Sequence, residues 1–426
     1  MAAPSPANHR VDQAAWTALE SACEHLRNAT DADDVDGVSP SLVARPTSTA
    51  QVAEVMRAAA AHRLTVVPRG RGTKNTWGRP PESADLVVDL CGMDQVLDHA
   101  AGDLIVQAQA GTSLADVQGA VAGEGQRLAV DETVPGASIG GTLVTAASGP
   151  GRLATGTMRD LLIGVTVVRA DGVVAKSGGR VVKNVAGYDL GKLVHGSFGT
   201  LAVVTDALFR LHPLPAARQF VSIPVGDPIH AQRLVQAVVH SQVVPGAVEV
   251  DFPADGPGTV TVLIEGSAEG VLGRTSATLD LLGPGANASE DEPDGWTRYP
   301  WSTNATGDQR ETALKFTFAL AGLQAVLDAA DGAGPPVHLR GSAGVGVLYG
   351  ALPAGTEPEV VRDIVTRLRA TCTQHGGSLV VLDAPAAVKA AVDTWGPIPA
   401  LDLMCRVKDQ FDPDHRLAPA RFVGGI

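Results

Sequence analysis

Cysteine is scarce and scattered. Cys23, Cys91, Cys372 and Cys405 are the four in 426 residues, and no two form a C-x-x-C. A zinc or iron–sulfur site held by this chain is therefore not expected, and separate thiols in a reducing compartment are. Positive charge is also short: 33 Lys and Arg face 46 Asp and Glu, a formal net charge of −13. That argues against nucleic acid and anionic membranes as partners, since both need a basic face. It leaves room for a small basic pocket. No window approaches the roughly 18 uninterrupted apolar residues of a membrane span. The opening MAAPSPANHRVDQ lacks the basic patch and apolar run of a signal peptide, so a cytoplasmic chain is expected.

Familiar motifs are missing too. A dinucleotide G-x-G-x-x-G from Gly70 fails at Asn75. GYDLGKL (187–193) is one residue short of a phosphate loop and ends in Leu193. A nucleophile elbow fails at His195 around Ser197 and at Arg340 around Ser342. H-E-x-x-H is absent. Ordinary nicotinamide, kinase and α/β-hydrolase chemistries lose their footing.

What is present is a long chain of ordinary globular balance, 45% hydrophobic and 19% charged. Its length predicts two or three domains of roughly 100–200 residues each. Residues 1–35 read as a polar lead with one helix around 16–26. The stretches 41–46 and 64–68 read as strands flanking a capped helix over 47–63, a βαβ unit. Strands are predicted at 85–90 and 103–111, a helix at 112–125, and a hairpin at 161–179 turning on Asp171-Gly172. A long strand at 199–215 closes on Pro213 and Pro215, which sets the first boundary. Beyond it, strands at 218–225, 246–264, 337–350 and 378–382 mix with helices at 229–242, 267–283, 318–330 and 357–373. The tail, 399–422, is an amphipathic helix and a Pro-punctuated loop. The predicted domains are 1–35, 36–215, 216–398 and 399–426.

Three Gly-rich segments stand out in the first half. Pro68, Arg69, Gly70, Arg71, Gly72, Thr73 and Lys74 form a turn whose glycines can aim successive N–H groups at phosphate oxygens. In 134–152, the small residues Gly136, Ala137, Ser138, Gly140, Gly141 and Thr142 let backbone lie flat against a planar or phosphorylated ligand, and Pro135 is counted with this wall as a cofactor contact. In 178–204, Lys183, Asn184, Tyr188 and Lys192 sit beside three small turns. Three such segments in one domain, each flanked by strands, suit a ligand as large as a dinucleotide.

VVPRGRGTKNTWG, IGGTLVTAASGP, VVKNVAGYDLGKLVHGSFGTLAVVT and the tail KDQFDPDHRLAP resemble, in order and spacing, the vanillyl-alcohol-oxidase and p-cresol-methylhydroxylase (PCMH) flavoprotein superfamily. GTKNTWG and RVVKNVAGYDL look most like the FAD-binding subunit of bacterial glycolate oxidase. The resemblance covers most of 40–215 and the tail. It implies an α+β fold: a two-lobed PCMH-type FAD-binding domain, an α+β cap domain, and a C-terminal tail returning to the FAD domain. It implies FAD, with Pro68–Thr73 on the pyrophosphate, Ser138, Gly140, Gly141 and Thr142 on the second wall, and Val203 or its neighbours on the adenine or ribose. Covalent relatives use a His in the first loop. Thr73 and Lys74 follow Gly72 here, so non-covalent FAD is implied.

Related 2-hydroxyacid dehydrogenases carry G-H-x-G-D-G-x-x-H in the cap. Its counterpart here, GSAGVGVLY (341–349), has Ser342, Val345 and Tyr349 at the ligand positions, which implies no metal. A flavin takes hydride from a 2-hydroxyacid while a base takes the hydroxyl proton, and a cation holds the carboxylate. The catalytic candidates are His195, His338, Arg340 and Tyr349. Lys183 and Tyr188 could touch the flavin edge, and Trp77 or Tyr349 could cover the ring. The function implied is oxidation of a short 2-hydroxyacid, glycolate or a D-lactate-like one. Partners implied are a second flavin subunit and an iron–sulfur subunit, with any membrane attachment made through those partners. A flavin module that only relays electrons, and a stand-alone dehydrogenase of another alcohol or sugar acid, stay open.

Overall fold

The computed structural model describes residues 11–180 and 187–426. Its first lobe begins with an alternation of strand and helix. Ser48 caps the helix Thr49–Ala61 by accepting from the Gln51 N–H at 3.2 Å, and Val52, Val55, Met56 and Ala59 form its buried face. This helix connects Leu42–Ala44 to Val66–Arg69, and both strands pair in parallel with Leu86–Asp89. Leu26–Asn28, from the polar lead, adds an antiparallel edge. A second, antiparallel sheet runs Val96–Ala100, Ile105–Gln109, Val203–Arg210, Leu162–Val168, Val174–Gly178. One continuous hydrophobic core serves both sheets.

Residues 134–152 are not the open loop that their composition suggests. They contain the helix Ile139–Thr145. Paired glycines disfavour a helix by roughly 1 kcal/mol each. Here Ser138 caps it, accepting from the Gly141 N–H at 3.2 Å. The glycine is required as well: a Cβ on Gly140 would stand 2.8 Å from the Cβ of Ala110.

After Pro215 the chain builds one eight-stranded antiparallel sheet. Its order is Asn287–Ser289, Ala217–Val225, Gly258–Gly266, Ala247–Phe252, His338–Gly341, Val347–Leu352, Thr312–Thr317, Ser378–Asp383. Helices Pro228–Val239, Leu323–Asp331 and Pro358–Gln374 cover one face, where Val248, Val250, Leu314, Phe316, Leu339 and Leu348 are buried. Residues on alternate positions point the other way, towards the first lobe.

The tail joins the two halves. Lys408 of the helix Leu401–Phe411 is fully buried. Its ammonium donates to the Asp412 carboxylate at 2.7 Å, to the Thr200 carbonyl at 2.7 Å and to the Leu417 carbonyl at 3.0 Å. Arg416 reaches the Ala170 carbonyl at 2.6 Å. Leu417 bridges alongside Val66, extending the first sheet. Arg421 donates to the Asn75 carbonyl at 2.5 Å. Farther along the interface, Asp36 and Asp383 are shared between Arg310 and Lys389, whose amine also reaches the Thr76 carbonyl.

Removing one partner of a buried ion pair leaves the other charge uncompensated. Lys408→Met is therefore expected to cost about 3–5 kcal/mol, read as a lowered urea midpoint, with the first lobe's turn at Thr200 losing protection from hydrogen exchange first.

Candidate functional site

Two of the Gly-rich segments close on one cleft of about 640 Å³. One wall is Pro68–Asn75. The other is Ser138, Gly140, Gly141, Val144 and Thr145, with Phe198, Gly199, Ala202 and Val204 at the far side and Arg421 beneath. Glycine is dictated at the join: a Cβ on Gly70 would lie 2.2 Å from the Ser138 hydroxyl oxygen. The left-handed position of the loop falls on Gly72 (φ 74°), while Arg71 keeps a negative φ and pays no such strain. The Arg71 side chain turns outward to the Gly111 carbonyl at 3.2 Å. Arg69 is occupied by Asp33 at 3.0 Å and Asp89 at 3.4 Å.

Two buried cations without an ion-pair partner stand at one end. Lys74 is 7% exposed and forms no ion pair among the described residues, Glu132 acting on it only at a distance. Burial pushes its amine down to about 8. Arg421 is 6% exposed and its Nε finds no partner; burial pushes its guanidinium down to about 10. A buried cation without a counter-charge is costly, and an anionic ligand relieves that cost. Nothing in the pattern of the tail loop marked Arg421 as a cleft residue.

Other expected contacts fall elsewhere. Pro135 and Gly136 are exposed, beyond the cleft. Thr142 is buried behind the short helix, and Val203 points into the core while its neighbours Ala202 and Val204 face the cleft. Trp77 turns away from the cleft into an aromatic layer, 5.7 Å from Tyr299 and 6.4 Å from Trp301 between ring centroids. Tyr188 is 92% exposed and away from both walls. Lys183 lies outside the described residues.

The four catalytic candidates do not gather at one point. His195 lines a separate apolar pocket against Leu403, Met404 and Val407. Burial, with Lys315 and Arg159 nearby, pushes it down to about 4, so it is neutral at pH 7. The other three lie on the lobe-facing side of the large sheet. Register places Lys315, Tyr349, Arg340 and Asp251 in one row across four strands. Asp251 accepts from Arg340 at 2.6 Å and pairs with His338 at 2.7 Å. Tyr349 donates to the Ser148 carbonyl at 3.1 Å across the interface. Arg340, Tyr349, Ser148, Ser342 and Tyr299 line a small cavity between the lobes, with Glu249 on its wall. Residues 148–150 of that wall follow directly on the helix that lines the cleft. Among the described residues no cluster of three metal-ligating side chains occurs.

Residues 40–178 match the family described as FAD binding domain. This segment is similar to FAD-binding domains. Curated relatives agree in kind. Glycolate oxidase subunit GlcD of Bacillus subtilis is 31% identical over 211 residues, 49% of this chain and 45% of the relative. Glycolate oxidase subunit GlcE of Escherichia coli is 31% identical over 166 residues, 38% of this chain and 47% of the relative. The matches thus span about half the length of the curated relatives. Among solved structures, the 4-ethylphenol oxidase of Gulosibacter chungangensis superposes with a TM-score of 0.72 at 15% identity, covering 96% of each chain. The architecture is the α+β fold of the PCMH-type flavoproteins.

The cleft fits FAD on its own geometry. Glycines let backbone approach where a diphosphate would lie, and Lys74 and Arg421 supply the opposing charge. Gly70→Ala should weaken FAD binding by at least about 100-fold, a cost of roughly 3 kcal/mol, while circular dichroism stays native. Fluorescence titration with FAD measures it. Because Lys74 loses its proton near pH 8, FAD affinity should fall as pH rises through that value, and Lys74→Met should flatten the profile.

Proposed function

We propose that the chain is the flavin-binding subunit of a 2-hydroxyacid oxidoreductase of the glycolate oxidase kind, holding FAD non-covalently. The observation that carries this reading is one continuous segment, 138–150, that lines the flavin cleft at one end and the small interlobe cavity at the other. FAD supplies hydride-accepting chemistry when bound. Lys74 and Arg421 balance its diphosphate charge. Arg340, fixed by Asp251 and by the Gly295 carbonyl at 3.0 Å, presents its remaining N–H groups to a substrate carboxylate. The buried aromatic cluster of Trp77, Tyr299, Trp301 and Tyr349 keeps water away from the cavity wall.

Among the described residues no His, Cys or Tyr lines the cleft, which supports non-covalent attachment. Residues 1–35 would be the lead, 36–215 the FAD domain, 216–398 the cap and 399–426 the returning tail, the described part of the lead packing on the first lobe. The four cysteines are free and dispersed, which supports assigning iron–sulfur relay to a partner subunit, beside a second flavin subunit. Among the described residues no helix is long and apolar enough to cross a membrane, in keeping with a cytoplasmic subunit that reaches any membrane through its partners. The loss of the family's cap ligands at Ser342, Val345 and Tyr349 favours a second reading, in which the chain relays electrons without its own substrate.

The purified chain should be yellow, and acid precipitation should release the whole of the flavin into the supernatant. Anaerobic glycolate or D-lactate should then bleach it. Yellow protein that neither acid bleaches supports the relay, and colourless protein removes both readings.

A further inference from the structure

The interlobe cavity contains a group that the sequence did not single out. Glu249 sits on the strand Ala247–Phe252, two residues before Asp251 and so on the same lobe-facing side. Its side chain is 6% exposed, and Oε1 has no hydrogen-bond partner. A buried carboxyl oxygen left unpaired costs about 1–3 kcal/mol, and a small ligand in the cavity beside it would satisfy it. Ser148, Ser342, Arg340 and two tyrosines line this small cavity, whose size restricts it to a ligand of a few heavy atoms. Arg340 on the neighbouring strand gives that ligand a cationic anchor.

Resting on the function proposed above, we infer that Glu249 is the catalytic proton acceptor for a small 2-hydroxy monocarboxylate, taking the place of the missing cap histidines. The substrate carboxylate pairs with Arg340. The hydroxyl O–H bond breaks and its proton passes to the Glu249 carboxylate. The C2 hydrogen leaves with its electron pair as hydride to FAD, and the C2–O bond becomes a carbonyl, giving the 2-oxoacid. The substrate is oxidised, FAD is reduced, and one proton stays on Glu249 until it is released.

The surroundings of Glu249 set the pH at which it can act. Ser342 lies beside it on the adjoining strand end. Asp131 faces it from the first lobe, itself pushed up to about 6 by burial, with its carboxylate accepting from the Gly151 N–H at 2.8 Å. The Ser342 hydrogen bond, Arg152 from the first lobe and Arg340 from the next strand favour its charged form, while Asp131 opposes it. Arg298 and the tyrosines 299 and 349 complete the wall. Burial dominates, and the carboxyl is pushed up to about 8. Below that value it is protonated and cannot accept; above it the base is free. The rate should therefore rise with pH.

The test uses the FAD-loaded full chain under anaerobic conditions with glycolate and with D-lactate. Wild-type bleaching should climb as pH passes about 8. Glu249→Gln should slow it by about 100-fold or more and abolish the pH step, with flavin content and reduction by dithionite unchanged. Glu249→Asp should recover part of the rate. Infrared titration of the substrate-free chain should show a protonated carboxyl at pH 7 that Glu249→Gln removes. Wild-type-like bleaching in Glu249→Gln overturns the assignment alone. Wild-type flavin that neither acid bleaches overturns the proposed function and the assignment together. Should Glu249→Gln fail to bind FAD, Glu249→Asp decides: an unmoved pH step counts against Glu249.

Discussion

The buried Lys408–Asp412 pair fixes the geometry on which the flavin cleft depends. Two of its three hydrogen bonds go to other parts of the chain: one to the Thr200 carbonyl, beside the Phe198–Gly199 turn, and one to Leu417, where the tail becomes a neighbour of Val66. Arg421, thirteen residues after Lys408, grips the carbonyls of the opposite wall at Asn75 and Trp77. A single terminal segment thus holds both sides of the cleft at a set separation. Phe198 pays for its place with a left-handed backbone (φ 54°), a conformation rare for a bulky residue, and its ring is held by Phe422 at 5.5 Å and Trp395 at 4.9 Å.

The second half of the molecule works by the alternation of a pleated sheet. One face carries the valines and leucines that meet the covering helices; the other carries Lys315, Tyr349, Arg340, Asp251 and Glu249 towards the first lobe. A sheet can place such a row because neighbouring strands hold opposite residues about 5 Å apart on the same side. The polar row needs the first lobe as a lid, and the first lobe supplies Ser148, Asp131 and the turn at 149–151. The surroundings of this polar row are therefore unreadable from either half alone.

This explains which parts were legible in the sequence. The Gly-rich loop at 68–74 could be read because its constraint is local: backbone turns that only glycine adopts easily leave glycines in the chain. Strand and helix positions in the first lobe follow from caps and periodicity, as at Ser48 and Ser113. The helix at Ile139–Thr145 was missed because its glycines answer to Ala110, thirty residues away, and not to helix propensity. The strand Thr312–Thr317 was missed because TALKFT has no turn residues of its own to bound it. Trp77, a few residues beyond the glycine loop, looked like a flavin neighbour, but the tyrosine and tryptophan it meets come from residues 299 and 301. Glu249 carried one overlooked signal: the acids in AVEVDF alternate with valines, so both face the same side of a strand whose other side is core.

The quartet of Asp36, Asp383, Arg310 and Lys389 has a consequence for how such a chain can vary. Each carboxylate serves two cations, and Lys389 is 1% exposed. Exchange of any single member strands a charge in a low-dielectric seam, so divergence at these four positions must be concerted. Descendants of this architecture would retain the whole set or replace it as a block by apolar side chains of matching size.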